Sequence, residues 1–573
     1  MRTRRTRWYL LLALLVSMLP LPAVAGGAVF WLGGGGAPCN FGSLSIALGA
    51  VPQGATIRIA NNQAYANTNL TISNRSVTLE GGWADCAGTP SAQRTVIEGA
   101  AGANLPVLRI QAAGTSRSVR LEHLEIRGGT RSGIEVDGLL DVRLDDTLVT
   151  ANSAADGGGI SVTGVSPAQT VLRLVHSTVG APDVGSGDGN AATFGGGVYC
   201  ADARVQLSSA LVQGNHADYG GGIALLACDL DAGAAALVVA GHSLLSALVR
   251  DNTATFFGGG LYATNASDIG LDNDHQPVAF EANRASRGGG IHLSAAGTQF
   301  HGAGITLAGN SVGAFGAAAY VESGAYLALE RGADGGTSCA RDAVCSRIVD
   351  NAVDDVPTAA ASALQVIDAV AVLAQTEITG NVSHSGQALI RLDGSSGVRV
   401  LDSLVHDNDA GAGRLFVLYG TDNVFTLGAS TVVANATLSP MAGVYLSGGA
   451  AGLHFDRSIV WQPGVLVQDT SAGETVTSTC MNVHAGAGID GVTSDPGFVD
   501  AAHGDLRLRT DSPNVDACAD TVAVSGTGET HVDVSGHPRP QSPPASPTPF
   551  DRGAHELVDL IFADGFDPPP LVP

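Results

Sequence analysis

One block of residues recurs down the middle of the chain: ANSAADGGGISV from Ala151, GNAATFGGGVYC from Gly189, GNHADYGGGIAL from Gly214, DNTATFFGGGLYA from Asp251 and ANRASRGGGIHL from Ala282. A worn copy, GNSVGAFGAAAYV, begins at Gly309. In each, an asparagine stands five or six residues before a triplet of small residues, which leads into an alternating apolar run. Further on the glycines fade but the first half persists, in SRIVDN, TEITGN, SLVHDN and STVVAN. The asparagine series is therefore Asn152, Asn190, Asn215, Asn252, Asn283, Asn310, Asn351, Asn381, Asn408 and Asn435, at intervals of 38, 25, 37, 31, 27, 41, 30, 27 and 27. A minimum unit near 25 residues with insertions of free length is the pattern of a solenoid, whose core is fixed while its loops vary.

Between the asparagines lie two or three short runs per unit, such as VLRLVHSTV and RVQLSSALV, that alternate apolar and polar residues and are separated by turn residues. No segment of useful length has the helical period. Short strands without helical crossovers stay parallel only by coiling, each pairing with its counterpart one turn away. The expected fold is all-β: a single-stranded right-handed parallel β-helix with a short N-terminal helical cap. The glycine triplet is expected to turn the chain tightly and to stack without Cβ clashes. The asparagines are expected to form a structural turn ladder, bonding their amides to one another and to turn backbone while tolerating the left-handed conformation. A phosphate-cradling reading of GGG fails, because all 29 basic residues are arginine and the lysine that such a loop needs is nowhere in the chain.

Export is expected from the N-terminus: Arg2, Arg4, Arg5 and Arg7 precede an apolar run from Trp8 to Leu19, and Ala23-Val24-Ala25 offers a small-x-small cleavage site, giving a signal peptide over 1–25. No later apolar run is long enough to span a bilayer, so no transmembrane segment is expected in the mature chain. The formal charge of −24 argues against a nucleic-acid partner. Eight cysteines in an exported chain favour disulfides over metal ligation. Their clustering suggests Cys39 with Cys86, Cys200 with Cys228, Cys339 with Cys345, and Cys480 with Cys518, although other connectivities remain open.

The Asn-to-GGG blocks resemble the repeats of the polymorphic outer membrane protein and pectate-lyase-like β-helix superfamily. FGSLSIALGAV, TIRIANNQAY and SVTLEGGWADC likewise resemble that group's N-terminal cap, first strand and glycine turn. DPGFVDAAHGDLRLRTDSPNVDAC, followed by DVSGHPRP and FDRGAHE, resembles the choice-of-anchor-like terminal segment of secreted bacterial β-helices. FDRGAHE departs from that pattern, which more often has an Ile and a Tyr, so docking of its last strand is expected to be less secure. The expected organisation is a linker and cap over 26–54, the β-helix over 55–500, a closing segment with a Pro-rich loop over 501–557, and a tail over 558–573 that ends in a GFD-containing motif.

The resemblance admits lyases and hydrolases, but a fold licenses no activity. Lysine-dependent lyase chemistry is excluded. The paired carboxylates Asp145-Asp146 and Asp354-Asp355 stand without the companion blocks of a hydrolase, and neighbours on a strand face opposite sides. Asp272, Asp274 and His275 could hold a cation in a loop. Asp402, His406, Asp407 and Asp409, and His454, Asp456 and Arg457, could contact carbohydrate, but are expected to be solvent-facing. No catalytic residue, metal ligand or cofactor is assigned. The expected function is a non-enzymatic, exported or cell-surface solenoid with a lateral face for polysaccharide or another cell surface. The alternative is a lyase or glycoside hydrolase acting on an acidic polysaccharide.

Overall fold

The computed structural model of the chain describes residues 27–34, 37–232, 247–271, 278–332, 345–354, 361–383, 388–411, 413–437, 443–447, 451–469, 474–518, 532–537, 539 and 550–557. The signal-peptide region, Asp272, Asp274, His275, Cys339, Asp355 and the tail lie outside them.

Strands of successive coils stack in parallel into four ladders. The first follows the glycine corner, through Ile160–Thr163, Val198–Ala201, Ile223–Leu226, Leu261–Thr264, Ile291–Leu293 and Ala319–Glu322, and continues to Val467–Asp469. The second runs through Val171–Val175 and Arg204–Ser208 to Thr475–Thr479. The third has 14 strands and ends at Asn482–Val483. The fourth has seven short strands lying between the asparagine and the glycines, among them Ala191–Phe194, His216–Tyr219, Thr253–Phe257, Arg284–Arg287 and Ser311–Phe315. Near the N-terminal end Leu108–Glu122 and Ile134–Asp145 run through both of the first two ladders. Because crossovers between parallel strands of a sheet are right-handed, the coil is a right-handed parallel β-helix.

Alternation builds the core. In Val171–Val175, Leu172 and Leu174 point inward while Arg173 points out to Asp141 and Gln206 of adjacent coils. One continuous apolar cluster runs from Leu32 to Ala487, and each fully buried Val, Leu or Ile contributes about 1.5–3 kcal/mol.

Two polar ladders line the inside of the corners. At the corner after the third ladder, each asparagine amide donates to the side-chain oxygen of the next: Asn152 to Asn190, on through Asn215, Asn252, Asn283, Asn310, Asn351, Asn381 and Asn408 to Asn435, at 2.8–3.1 Å. Asn435 donates in turn to Gln462 at 3.2 Å, so glutamine supplies the last rung. The left-handed conformation falls on the residue before the asparagine, as at Asp251, Ala282 and Asp350. The asparagine keeps ordinary φ because its amide must point inward, as Asn283 does to the Val249 carbonyl. At the corner before the third ladder hydroxyls stack similarly, with backbone N–H groups of Thr376, Ser403 and Ser430 donating to Ser403, Ser430 and Ser458.

The glycine corner is sterically closed. Gly258 sits at φ +66°, and a Cβ on Gly259 would lie 2.4 Å from the Gly289 carbonyl oxygen one coil away. Gly259→Ala is therefore expected to cost about 1–3 kcal/mol through forced backbone displacement, read as a lowered urea midpoint. An unchanged midpoint would show that the corner has slack.

At the N-terminus the first strand is Val29–Leu32, within the stretch read from sequence as linker and cap, and it pairs with Ala55–Ala60. The helix Leu44–Ala50 lies between them and buries Leu44, Ala47 and Leu48. Disulfides join Cys39–Cys86, Cys200–Cys228 and Cys480–Cys518.

The C-terminal segment folds back along the side of the solenoid. Residues 532–537, 539 and 550–557, here called the strap, lie on the outer face of the third ladder, where Val534 and Ala554 join Leu404, Val433, Ile459, Phe498, Leu506 and Leu508 in an apolar cluster. The Ala554 N–H donates to Thr431 Oγ1 at 3.0 Å, and Gln375 donates to the Val532 carbonyl at 2.9 Å.

Candidate functional site

Residues singled out in the sequence fall mostly into structural roles. Asp145 pairs with Arg143 at 2.7 Å. Asp146 turns the corner at φ +45° and holds Arg94 and His123. Asp354 pairs with Arg284 of another coil.

The expectation that the later groups face solvent is corrected for Asp402, His406, Asp456 and Arg457. Asp402, His406 and Asp456 are buried, and Arg457 is nearly so. Docking of the strap accounts for Asp402 and Arg457: Asp402 meets Arg539 of the strap at 3.1 Å, and the Arg457 guanidinium lies over the Phe550 ring. His406 contacts Glu377 at 3.3 Å and Asp407 at 2.8 Å, and Arg347 donates to Glu377 at 2.8 Å. Burial pushes His406 down, but its bonds to Glu377 and Asp407 outweigh that and hold it above its ordinary value. Asp409 continues the fourth-ladder pairing to Val382 and Ala436. His454 is half-buried and meets Thr477 at 2.8 Å. These groups do not converge on a common site. Among the described residues no cluster of three or more His, Cys, Asp or Glu could hold a metal ion.

A different set does converge. Outward positions of the fourth ladder place Phe194, Tyr219, Phe257, Arg287 and Phe315 in register. Outward positions of the first ladder, two residues past each small-residue triplet, place Tyr199, Ala224, Tyr262, His292 and Tyr320 in register. The two columns flank the glycine corner and touch across it. Tyr219 is 5.8 Å from Tyr262, Phe257 is 4.6 Å from His292, and Phe315 is 6.2 Å from Tyr320, all between ring centroids. Side chains on the outside of a convex corner would diverge. These meet, so the corner is concave, and the glycine triplet is what lets the chain bend inward there. The outcome is a strip of aromatic rings along the solenoid axis, here called the groove, whose rings pack against one another across the corner.

Along the axis Phe194 stacks on Tyr219 at 4.7 Å and 12°, and His292 sits 4.9 Å from Tyr320. Such spacings follow from the strand separation of about 4.8 Å. Phe256 adds a ring at the rim, 45% exposed.

At its C-terminal end the first-ladder column sinks inward and becomes a closed, polar floor. His292 and Tyr320 are 0% and 2% exposed, and both bond Glu322, at 3.1 and 3.2 Å. Burial lowers His292, only partly offset by Glu322, so the imidazole gives up its proton more readily than usual. Burial likewise pushes the Tyr320 phenol well above its ordinary value. Burial also pushes Glu322 up, but bonds from His292 and Tyr320 outweigh it, and the carboxylate ionises more readily than usual. These three groups brace the groove from beneath.

The sequence carried a signal for this groove. Aromatic or arginine residues precede each triplet in ATFGGG, ADYGGG, TFFGGG, ASRGGG and GAFGAA, and Tyr or His follows by two positions in four of the five. Eight of the chain's 15 Phe, 9 Tyr and 4 Trp fall at this corner between Phe194 and Tyr320.

The ladders and the groove define the class: a right-handed parallel β-helix with an aromatic groove along one corner. No family model matches the chain. No curated protein matches it. Among solved structures the chain is similar to pectate lyase Pel9A, at 11% identity over 93% of this chain and 97% of that one, with a TM-score of 0.20. So loose a superposition says nothing of ligand or chemistry, and the class rests on the ladders themselves.

Proposed function

We propose that the chain is an exported, non-enzymatic solenoid that binds polysaccharide in the aromatic groove between the fourth and first ladders. The observation that carries this reading is the convergence of two aromatic columns, repeated coil after coil, along the axis of the solenoid. Sugar rings present flat C–H faces that lie against aromatic faces, and a linear glycan presents them at regular intervals. Rings with few rotatable bonds supply contact area at little cost in conformational entropy, and a mostly aromatic wall with a few placed polar groups is the usual composition of a binding cleft. Disulfides fit an exported protein.

A binding role is favoured over turnover because, among the described residues, the acid, imidazole and phenol bonded together at the groove are Glu322, His292 and Tyr320, and the latter two are buried beneath its surface. The buried imidazole already engages Glu322, and the raised phenol is a poor candidate for a base at neutral pH.

Affinity electrophoresis against a panel of soluble glycans tests the reading. At least one glycan is expected to retard the protein, with Tyr219→Ala weakening binding by about tenfold. Retardation by no glycan, or retardation indifferent to Tyr219→Ala and Tyr262→Ala, would remove the groove as the binding site. Sustained release of reducing ends or unsaturated uronate, abolished by one substitution, would instead establish the enzymatic alternative.

A further inference from the structure

We propose that Arg287 is an anion-reading subsite in this groove, so that the glycan held there carries carboxylate or sulfate groups; the inference rests on the groove being the binding site. Arg287 occupies the fourth-ladder position held in the other coils of the column by Phe194, Tyr219, Phe257 and Phe315, and lies in register directly between Phe257 and Phe315. Its guanidinium carbon is 5.4 Å from the Phe257 ring, 5.1 Å from Phe315 and 5.9 Å from Tyr320. Three rings thus hold the cation in the wall of the groove.

Among the described residues the Arg287 side chain forms no ion pair and donates no hydrogen bond, although the chain holds 53 acidic residues against 29 basic ones. Arginines of nearby coils do find acids. Arg284 pairs with Asp354, Arg347 with Glu377 at 2.8 Å, and Arg391 with Asp393 at 2.7 Å. The acid that feels the Arg287 charge is Glu322, which is already bonded to His292 and Tyr320.

Arginine suits this position in a way lysine does not. Its flat cation packs against aromatic rings while its N–H fork stays free to engage two oxygens of one anion. Rings that exclude water from its faces also strengthen the electrostatic attraction at its edge. In a chain of net charge −24, an acidic glycan would be repelled by most of the surface, and a cation without a partner among the described residues inside the groove supplies the local attraction that binding requires.

The experiment uses the full chain and matched probes: polygalacturonate against its methyl ester, and chondroitin sulfate against desulfated chondroitin, titrated calorimetrically. Wild-type protein is expected to prefer the free carboxylate or the sulfated polymer, and whichever pair shows the preference identifies the anion. Arg287→Gln is expected to weaken binding of the preferred anionic polymer by about tenfold, the loss of one charge-assisted hydrogen-bonding group, and to leave the masked partner unchanged. Arg287→Lys should recover part of the loss, and equal melting temperatures for the three proteins would exclude unfolding as the cause. Tyr219→Ala should weaken both members of the pair. Equal wild-type affinity for charged and masked polymers, or an equal loss for both on Arg287→Gln, overturns the anion subsite while leaving the groove standing. Binding of none of the four, with other glycans bound elsewhere or not at all, overturns both.

Discussion

Arg539→Ala is expected to destabilise the docked strap by roughly 3–5 kcal/mol, the cost of withdrawing one partner from a buried charge group. The Arg539 guanidinium sits 3.1 Å from Asp402 on the solenoid and 3.6 Å from Glu556 within the strap, and all three side chains are almost fully buried. It also donates to the Gly553 carbonyl at 2.7 Å, tying the two halves of the strap together. Removing it places two carboxylates side by side without the cation between them. The strap would then lift at lower denaturant than the solenoid, baring the apolar strip of Leu404, Val433 and Ile459 that Val534 and Ala554 cover. Limited proteolysis is the direct readout, with early cleavage near the C-terminal end in the variant and none in the parent under the same conditions. Asp402→Asn combined with Glu556→Gln in the Arg539→Ala background should restore part of the stability, because it removes the carboxylates that the arginine balanced. A variant that melts and resists protease like the parent would mean that the apolar cluster alone holds the strap.

The periodic parts of this fold were legible in the sequence, and the parts that depend on distant segments were not. Asparagine at solenoid spacing announces itself because every coil needs the same inward amide at the same corner, and the 27-residue step from Asn408 to Asn435 points on to Gln462. The fourth ladder escaped notice because its strands are short and mixed in polarity, as in Ala191–Phe194 and Arg284–Arg287, so no apolar alternation marks them. The hydroxyl ladder escaped because serine is common in turns and carries little signal at any single position. The groove was half legible: the rings stood beside the glycines, but only the concave corner shows that both columns face the same space. Burial of Asp402 was illegible, since Arg539 lies more than a hundred residues away and nothing local hints that the chain returns. FDRGAHE was read as a weaker closure, and the structure gives those residues specific work, with Arg552 donating to the Cys480 carbonyl at 3.1 Å and His555 meeting Ser535 at 3.0 Å.

His555 makes the strap sensitive to acid. Burial drives its imidazole down from 6.5 to about 4, so it is neutral in the folded protein across most of the range in which an unfolded chain would protonate it. A base with a lowered folded value leaves the unfolded state holding more protons, and stability therefore falls as pH falls, from about 6.5 to about 4, by about 3 kcal/mol over the whole window. The other titrating groups around the strap act mostly elsewhere. Burial pushes Asp533 and Glu377 up, but Asp533's bond with His537 and Glu377's bonds with His406 and Arg347 outweigh it, so their stabilisation is lost only below the ordinary carboxylate values. His537, raised by its bond to Asp533, and His406, raised by its acid partners, contribute fully below 6.5 and lose that contribution only as pH rises through their folded values. Asp551, pushed up by burial, opposes His555 on the acid side, because a raised carboxyl gains relative stability as pH falls. Denaturant unfolding followed across this range should show a falling midpoint on the acid side, and His555→Phe should flatten that slope while leaving the loss above neutrality in place. A slope that survives His555→Phe would transfer the acid sensitivity to the carboxylates, and the buried imidazole would then be a packing element of the strap with no share in its response to pH.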